Sequence, residues 1–423
     1  MAHTLHDTLN SSRSLFSTVP GPGEKGQPVT WAKQERFSLR QEEVSLPLAV
    51  IKSSVLSKNL AWMQGFADHY GVRLCPHGKT TMSPTLFSQQ LAAGAWGMSV
   101  ATPAQAEVAA MAGATNILLA NQLVGPANMA IVAKLIREQG VNFFCCVDSP
   151  RNVLALETVF AREKARLNVL IEMGVSGGRC GCRRAEEALS LAAVISQQPH
   201  LCLKGVEIYE GVIHGEEAEG NIRSFIETAL GVADRLSVEG FIEGNSIVTG
   251  AGSAWFDVVC EHFSDTSNLE AIIRPGSYTV LDTGIYQIAQ EKLLQRSNRK
   301  KSYASQSPLR LESALEVWAY VMSRPEPNLV IAGLGKRDVA FDSGLPTPDR
   351  AYRHGDPISI GRAQCTHMMD QHAFVEVDPD SDLQVGDILV FSTSHPCLTF
   401  DKWRAVALCD DEDNVTGWLS TFF

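Results

Sequence analysis

Between about Val72 and Arg274 the chain repeats one pattern. A short apolar run is followed by an Ala- and Leu-rich stretch at helical spacing, roughly every 25 to 40 residues. A sequence of that rhythm has few folds open to it. Strands that are apolar throughout are buried on both faces, and the intervening helices must cover them, so the sheet is parallel. The spacing predicts strands at Val72–Cys75, Trp96–Val100, Ile117–Ala120, Asn142–Val147, Leu167–Glu172, Leu203–Tyr209, Ser246–Thr249 and Ala271–Arg274. It predicts helices at Pro103–Ala112, Pro126–Glu138, Pro150–Ala161, Ala185–Gln197 and Glu217–Glu239. Thr-Pro, Gly-Pro and Ser-Pro pairs mark helix starts, where proline suits the first turn. Eight such strands point to a TIM-like (β/α)8 barrel ending near Tyr278. An open doubly wound sheet is the alternative, disfavoured because no Gly-x-Gly-x-x-Gly turn opens the first helix.

The flanks differ. Residues 1–45 read as an irregular lead-in, followed by a strand at Ser45–Ile51 and a helix at Leu56–Tyr70 carrying Leu60, Met63 and Phe66. After Thr283 the helical pattern fades. Ala314–Met322, Asn328–Leu334, Ala373–Val377, Asp387–Ser392 and Arg404–Leu408 read as strands between Pro, Gly and Asp turns. The expected division is a lead-in (1–45) that packs on the second domain, a barrel (46–284), and a smaller β-rich domain (285–423).

The 47 acidic residues outnumber the 36 basic ones, and a net charge of −11 argues against nucleic acid or an anionic membrane as partner. No apolar run reaches about 18 residues, so no transmembrane helix is expected. Met1 to Gly26 is polar and lacks the basic start and apolar core of a secretory signal. The ten cysteines are scattered, and Cys145, Cys146 and Cys202 lie inside apolar strands, as reduced thiols do. The expected location is cytoplasmic.

In a barrel the functional groups gather where strands end, and phosphate is held after the last two strands. Strand one runs into Cys75-Pro76-His77-Gly78-Lys79-Thr80, which puts a lysine, with a histidine two residues earlier, at the barrel mouth. Such a lysine forms a Schiff base with a carbonyl compound when its pocket lowers its pKa. Taken alone it is a solvated surface group. Arg179, in the glycine-rich loop after strand five, offers a fixed cation for an oxyanion or carboxylate. Tyr209, with His214 beyond it, closes strand six and offers a flat ring to lie against a cofactor; ordinary core packing is its plainer role. Strand seven ends in Thr249-Gly250-Ala251-Gly252-Ser253 and strand eight in Arg274-Pro275-Gly276-Ser277. Both turns let backbone N–H groups approach an anion while hydroxyls add donors. In the second domain, Ser394-His395-Pro396-Cys397 places an imidazole and a thiol two residues apart, a pairing that suits zinc but half-fills its shell. His372 is a third polar candidate, and His367 a weaker one.

Pro-His-Gly-Lys-Thr at Pro76–Thr80, Gly-Gly-Arg-Cys-Gly at Gly177–Gly181 and Arg-Pro-Gly-Ser-Tyr at Arg274–Tyr278 resemble the alanine-racemase-like, fold type III pyridoxal phosphate enzymes. His395-Pro396-Cys397, followed by Thr399-Phe400-Asp401-Lys402-Trp403, resembles their D-serine dehydratase and D-threonine aldolase branch. The resemblance covers about residues 45 to 410. It implies Lys79 as the lysine that carries pyridoxal phosphate and takes the substrate's α-proton. It implies Arg179 near the cofactor's ring oxygen, and Tyr209, His77 and His214 around the ring. Thr249, Gly252, Ser253, Gly276 and Ser277 would hold the phosphate. His395 and Cys397 would bind a divalent metal, zinc first, with manganese or magnesium as alternatives. The implied activity is metal-assisted dehydration and deamination of a D-β-hydroxy amino acid such as D-serine or D-threonine to a 2-oxo acid and ammonia. Aldol cleavage to glycine and an aldehyde is the alternative; a non-catalytic pyridoxal phosphate carrier is a third reading. The resemblance also implies a homodimer.

Overall fold

Eight parallel strands close into a ring: Arg73–Leu74, Met98–Val100, Asn116–Gln122, Asn142–Val147, Leu167–Met173, Leu201–Ile208, Ser246–Gly250 and Leu269–Ile273. From the second strand on, each pairs with its sequence neighbour, and the eighth pairs with the first through Ile273 and Leu74. A parallel bridge between His77 and Ser99 joins the first to the second. The computed structural model that shows this describes residues 19–21, 23–28, 36–242, 244–264 and 269–423. Most of the expected lead-in lies outside the described residues. Among those described, no helix is long and apolar enough to cross a membrane.

The helices that cover the ring begin where proline and its preceding residue predict. Pro103, Pro126 and Pro150 each occupy the first helical turn. The Thr102 and Ser149 hydroxyls accept from the amides of Gln105 and Asn152, satisfying donors the helices leave free.

Alternation along the strands sorts the barrel interior into layers. Cys75, Leu118, Phe144, Leu170, Ile247 and Ile272 form a closed apolar plug. Two residues further along the same strands, on the same face, come His77, Cys146, Glu172, Thr249 and Arg274. Strand six adds Glu207, which stands in register with Glu172. The interior therefore turns from apolar to polar in one step toward the strand C-termini.

The second sheet has eleven strands, mostly antiparallel. Leu48–Lys52 lies in its interior, antiparallel to Leu315–Glu326 and parallel to Ala405–Cys409. Phe37–Ser38 pairs with Asn414–Ser420. Beyond Phe37–Ser38, which falls in the expected irregular lead-in, four more strands differ from the sequence expectation: Thr347–Arg353, Asp356–Ile358, Ala363–Met368 and Asn414–Ser420. The first of these carries Pro348, Asp349, Arg350 and Arg353, charged and turn-favouring residues that hide a strand from a pattern search. The helical pattern does not fade after Thr283 either, because a helix spans Ile285–Lys300. Its start is set by the Asp282 carboxylate, whose Oδ1 accepts from the amides of Gly284 and Tyr286 at 2.9 Å each.

Candidate active site

Strand one ends at Leu74, and Gly78–Thr80 makes a single turn of 3-10 helix. His77 Nδ1 accepts from the Lys79 amide at 3.4 Å, which turns the lysine out of the strand and over the barrel mouth. Burial first, then the charges of Lys79, Arg274 and Arg179, hold the His77 imidazole well below its ordinary range. It is therefore neutral and free to act as that acceptor.

Lys79 faces a cavity of about 110 Å³ lined also by His77, Arg179, Tyr209, Gly252, Ser253, Arg274, Gly276, Ser277 and Cys397. Residues that follow strands one, five, six, seven and eight thus meet, in one space, a cysteine that opens the short helix Cys397–Phe400 of the second domain. The Arg179 guanidinium lies 4.3 Å from the Tyr209 ring centroid, so the cation covers the aromatic face. Thr249 is buried in strand seven below this cavity. His214 is exposed and lines an adjoining cavity of about 370 Å³, which shares Tyr209, Gly252 and Ser253 with the first.

The two glycine turns converge. Gly276 and Ser277 donate their amides to Ser253 Oγ at 3.3 Å each. Only glycine fits at 276, because a β-carbon there would lie 2.4 Å from the His77 carbonyl oxygen. The Gly252 amide is already committed, to the carboxylate of Glu210 at 2.7 Å.

Sequence reasoning did not single out the cavity floor. Arg274 is buried and hydrogen-bonds the Glu207 carboxylate, while its Nη2 also donates to the Ile208 carbonyl at 2.8 Å. Glu172 receives a hydrogen bond from Gln122 at 2.6 Å. Burial first, then the charge of Glu207, pushes the Glu172 carboxyl above the usual carboxylate range. Burial also keeps Cys146 a neutral thiol. Donor atoms of Cys146, Glu172 and Glu207 lie within 4.8 Å of one another. The fixed charge of Arg274 already compensates Glu207, which disfavours a cation among them.

Cys397 stands at the cavity's other wall, and His395, two residues before it, lies behind that wall without lining the cavity. His395 Nδ1 lies 2.8 Å from Asp342 Oδ2, and Cys397 Sγ lies 3.4 Å from the Thr80 hydroxyl. A hydrogen bond with Cys397 is the first cause, ahead of Asp342, that holds the His395 imidazole up at about 9. The imidazole therefore meets the thiol and the carboxylate at once. His372 is exposed on the turn before Ala373–Val377, and His367 packs on Phe374. Neither lines the cavity.

The protein family described as the alanine racemase N-terminal domain matches residues 51–283. The chain belongs to this family. A second family, described as a putative serine dehydratase domain, matches residues 314–409. Over 398 residues the chain is 27% identical to a D-threonine aldolase from Arthrobacter sp., covering 93% of each protein. It is 37% identical over 147 residues to a D-threo-3-hydroxyaspartate dehydratase from Delftia sp. (strain HT23), covering 34% of this chain and 38% of that one. The fold superposes on a cysteine-to-alanine mutant of D-threo-3-hydroxyaspartate dehydratase in the metal-free form, with a TM-score of 0.70 and 22% identity over 91% of this chain and 99% of that one. The chain is thus a fold type III pyridoxal phosphate enzyme, and the aldolase it matches over 93% of its length is a lyase.

The residues fit that cofactor. Thr249 Oγ1 and the Nε and Nη1 atoms of Arg274 are buried without a protein partner, and two amides and a hydroxyl converge beside them. Such donors suit a phosphate and a ring acceptor. The nitrogen and sulfur of His395 and Cys397 likewise suit a borderline-soft divalent cation.

Proposed function

We propose that this enzyme dehydrates and deaminates a D-β-hydroxy amino acid, D-serine, D-threonine or a similar compound, to a 2-oxo acid and ammonia. The observation that carries the reading is the single cavity in which Lys79 and Cys397 face one another across Thr80. One wall offers the amine, the other the donors for a metal. When bound, pyridoxal phosphate supplies an electron sink at Cα and the divalent metal a Lewis acid for the β-hydroxyl.

The chain's own residues do the rest. Lys79 carries the cofactor and, once free, takes the α-proton through Nζ. Arg179 pairs with an oxyanion of the bound pair, and Tyr209 supports it from below. Ser253, Gly276 and Ser277 hold the phosphate, with Thr249 beneath them. His395 and Cys397 would hold the metal, zinc by donor type, and Asp342, bonded to the imidazole at Nδ1, would orient it. That the related dehydratase's cysteine-to-alanine mutant was seen in a metal-free form supports the cysteine's part in this.

Aldol cleavage to glycine and an aldehyde is the second reading, favoured by the D-threonine aldolase that matches 93% of the chain. The thiol of Cys397, rather than a carboxylate, tilts the choice to dehydration. The family match over residues 314–409, a range that contains His395 and Cys397, argues against the carrier reading. All ten cysteines are free, which supports a cytoplasmic enzyme, and the resemblance supports a homodimer. The test is incubation with D-serine, D-threonine and 3-hydroxy-D-aspartate, with and without chelator. A 2-oxo acid with ammonia is the expected product. Glycine with an aldehyde would replace this reading with the second, and no turnover of any of the three would end both.

A further inference from the structure

The turn after strand seven is gripped by a carboxylate that has no part in the chemistry above. Glu210 is completely buried, at 0% exposure. Its Oε2 accepts from the Ala251 amide at 3.1 Å and its Oε1 from the Gly252 amide at 2.7 Å. Ala251 sits at φ +68°, in the left-handed region that a β-carbon disfavours. Two charge-assisted hydrogen bonds offset that strain. Tyr209, the neighbour of Glu210, fills the space beneath: a β-carbon on Gly252 would lie 3.0 Å from its ring. The turn can therefore neither relax outward nor sink.

Its shape has a consequence one residue on. Ser253 follows Gly252 directly, and its hydroxyl is the atom on which the Gly276 and Ser277 amides converge. Because Glu210 takes both preceding amides, these cannot serve an external anion. What remains at the turn tips is the Ser253 hydroxyl with the Gly276 and Ser277 amides gathered on it, beside the unpartnered hydroxyls of Thr249 and Ser277.

We propose that Glu210 is a positioning residue for the cofactor's phosphate. It does not touch the phosphate. It locks Gly250–Ser253 so that Ser253 Oγ, Gly276 N and Ser277 N form one anion cup. The inference rests on the reading of pyridoxal phosphate as cofactor. Charge alone predicts the opposite: deleting a carboxylate close to a phosphate strengthens phosphate binding. A loss of affinity thus reports the geometry of the turn.

The experiment compares pyridoxal phosphate with pyridoxal, which lacks the phosphate, on the full chain freed of cofactor. Dissociation constants are read from the absorbance of the lysine-bound aldehyde in wild type, Glu210→Ala and Glu210→Gln, with thermal unfolding alongside. Wild type is expected to prefer the phosphorylated aldehyde. Glu210→Ala should weaken pyridoxal phosphate by at least about tenfold, the worth of one charge-assisted hydrogen bond, and leave pyridoxal unchanged. Glu210→Gln, which keeps an acceptor oxygen, should fall between. A preference ratio equal to wild type in either folded variant overturns the proposal, and so does equal weakening of both aldehydes. A wild-type chain that binds neither aldehyde overturns the cofactor reading itself, and this inference with it.

Discussion

Glu172 and Glu207 face each other in register on neighbouring strands, 3% and 0% exposed, with one arginine between the two of them and the cavity. One buried cation cannot neutralise two carboxylates, so one of the pair holds its proton. Burial and then Glu207 raise Glu172 from 4.5 to about 7, opposed by Gln122, Arg179 and Arg274. A carboxyl raised in the folded state binds a proton there that the unfolded chain has released. Its contribution to stability is thus complete below about pH 4.5 and is lost as pH rises toward about 7. Glu172→Gln should remove this loss, so that urea midpoints at about pH 5 and pH 8 differ less than in wild type. An unchanged difference would show that Glu172 ionises normally. Asp342 gives a second expectation. Asp342→Asn should lower divalent-metal affinity about 10- to 100-fold, as loss of a group that orients a histidine ligand does, while bound cofactor keeps its absorbance. Metal content after dialysis against graded chelator measures it, and wild-type retention would remove Asp342 from the site. Arg274 stood in the sequence only as the first residue of a glycine turn, and Glu207, Glu210 and Asp342 did not stand out at all. A charged residue such as Glu207 within an apolar strand looks like an ordinary surface position until register shows which side chain it meets. Lys79 and the two glycine turns were legible because strand ends alone place them.

At the scale of elements, the strands and helices of the barrel were readable from apolar runs and from proline at helix starts, since both are local signals. The helix Ile285–Lys300 was not. It lacks a long apolar stripe, and its cap, Asp282, lies three residues before its first residue. That carboxylate is 1% exposed, and besides Gly284 and Tyr286 its Oδ1 receives the Gln287 amide at 3.3 Å. Burial raises the carboxyl while those amides and His395 lower it. Replacing a cap of this kind with alanine costs about 0.5–2 kcal/mol. Asp282→Ala should show that loss in a denaturant titration, and Asp282→Asn, which keeps the accepting oxygen, much less. The helix carries Tyr286 into the Lys79 cavity, so the alanine variant should also bind cofactor more weakly. Equal stability of all three chains would mean that the helix start is fixed by packing alone.

At the scale of the whole molecule, the chain's order along the sequence and its order in space disagree. Leu48–Lys52 precedes the barrel yet lies between Leu315–Trp318 and Ala407–Cys409 in the second sheet. The next residue begins the helix Ser53–His69, whose Asn59 is buried and binds both sides. Its Nδ2 donates to the carbonyls of Thr279 at 3.1 Å and Glu312 at 2.8 Å, and its Oδ1 accepts from the Glu312 amide at 3.0 Å. Near the C-terminus the Phe422 amide reaches back to the Met82 carbonyl, close to Lys79. The two sheets are thus laced together through strand, helix and tail, and the cavity draws a wall from each. Residues 285–423 produced alone would lack the strand that fills the middle of their sheet, leaving two unpaired edges and apolar side chains exposed. That fragment should aggregate or stay unfolded, and adding residues 36–52 as a separate peptide should restore strand content in circular dichroism. The intact chain should then unfold in urea as one cooperative transition rather than two, with intrinsic fluorescence and bound-cofactor absorbance changing together. A stable, monomeric 285–423 fragment, or two separated transitions in the whole chain, would show that the halves fold independently and that the active site is assembled by docking.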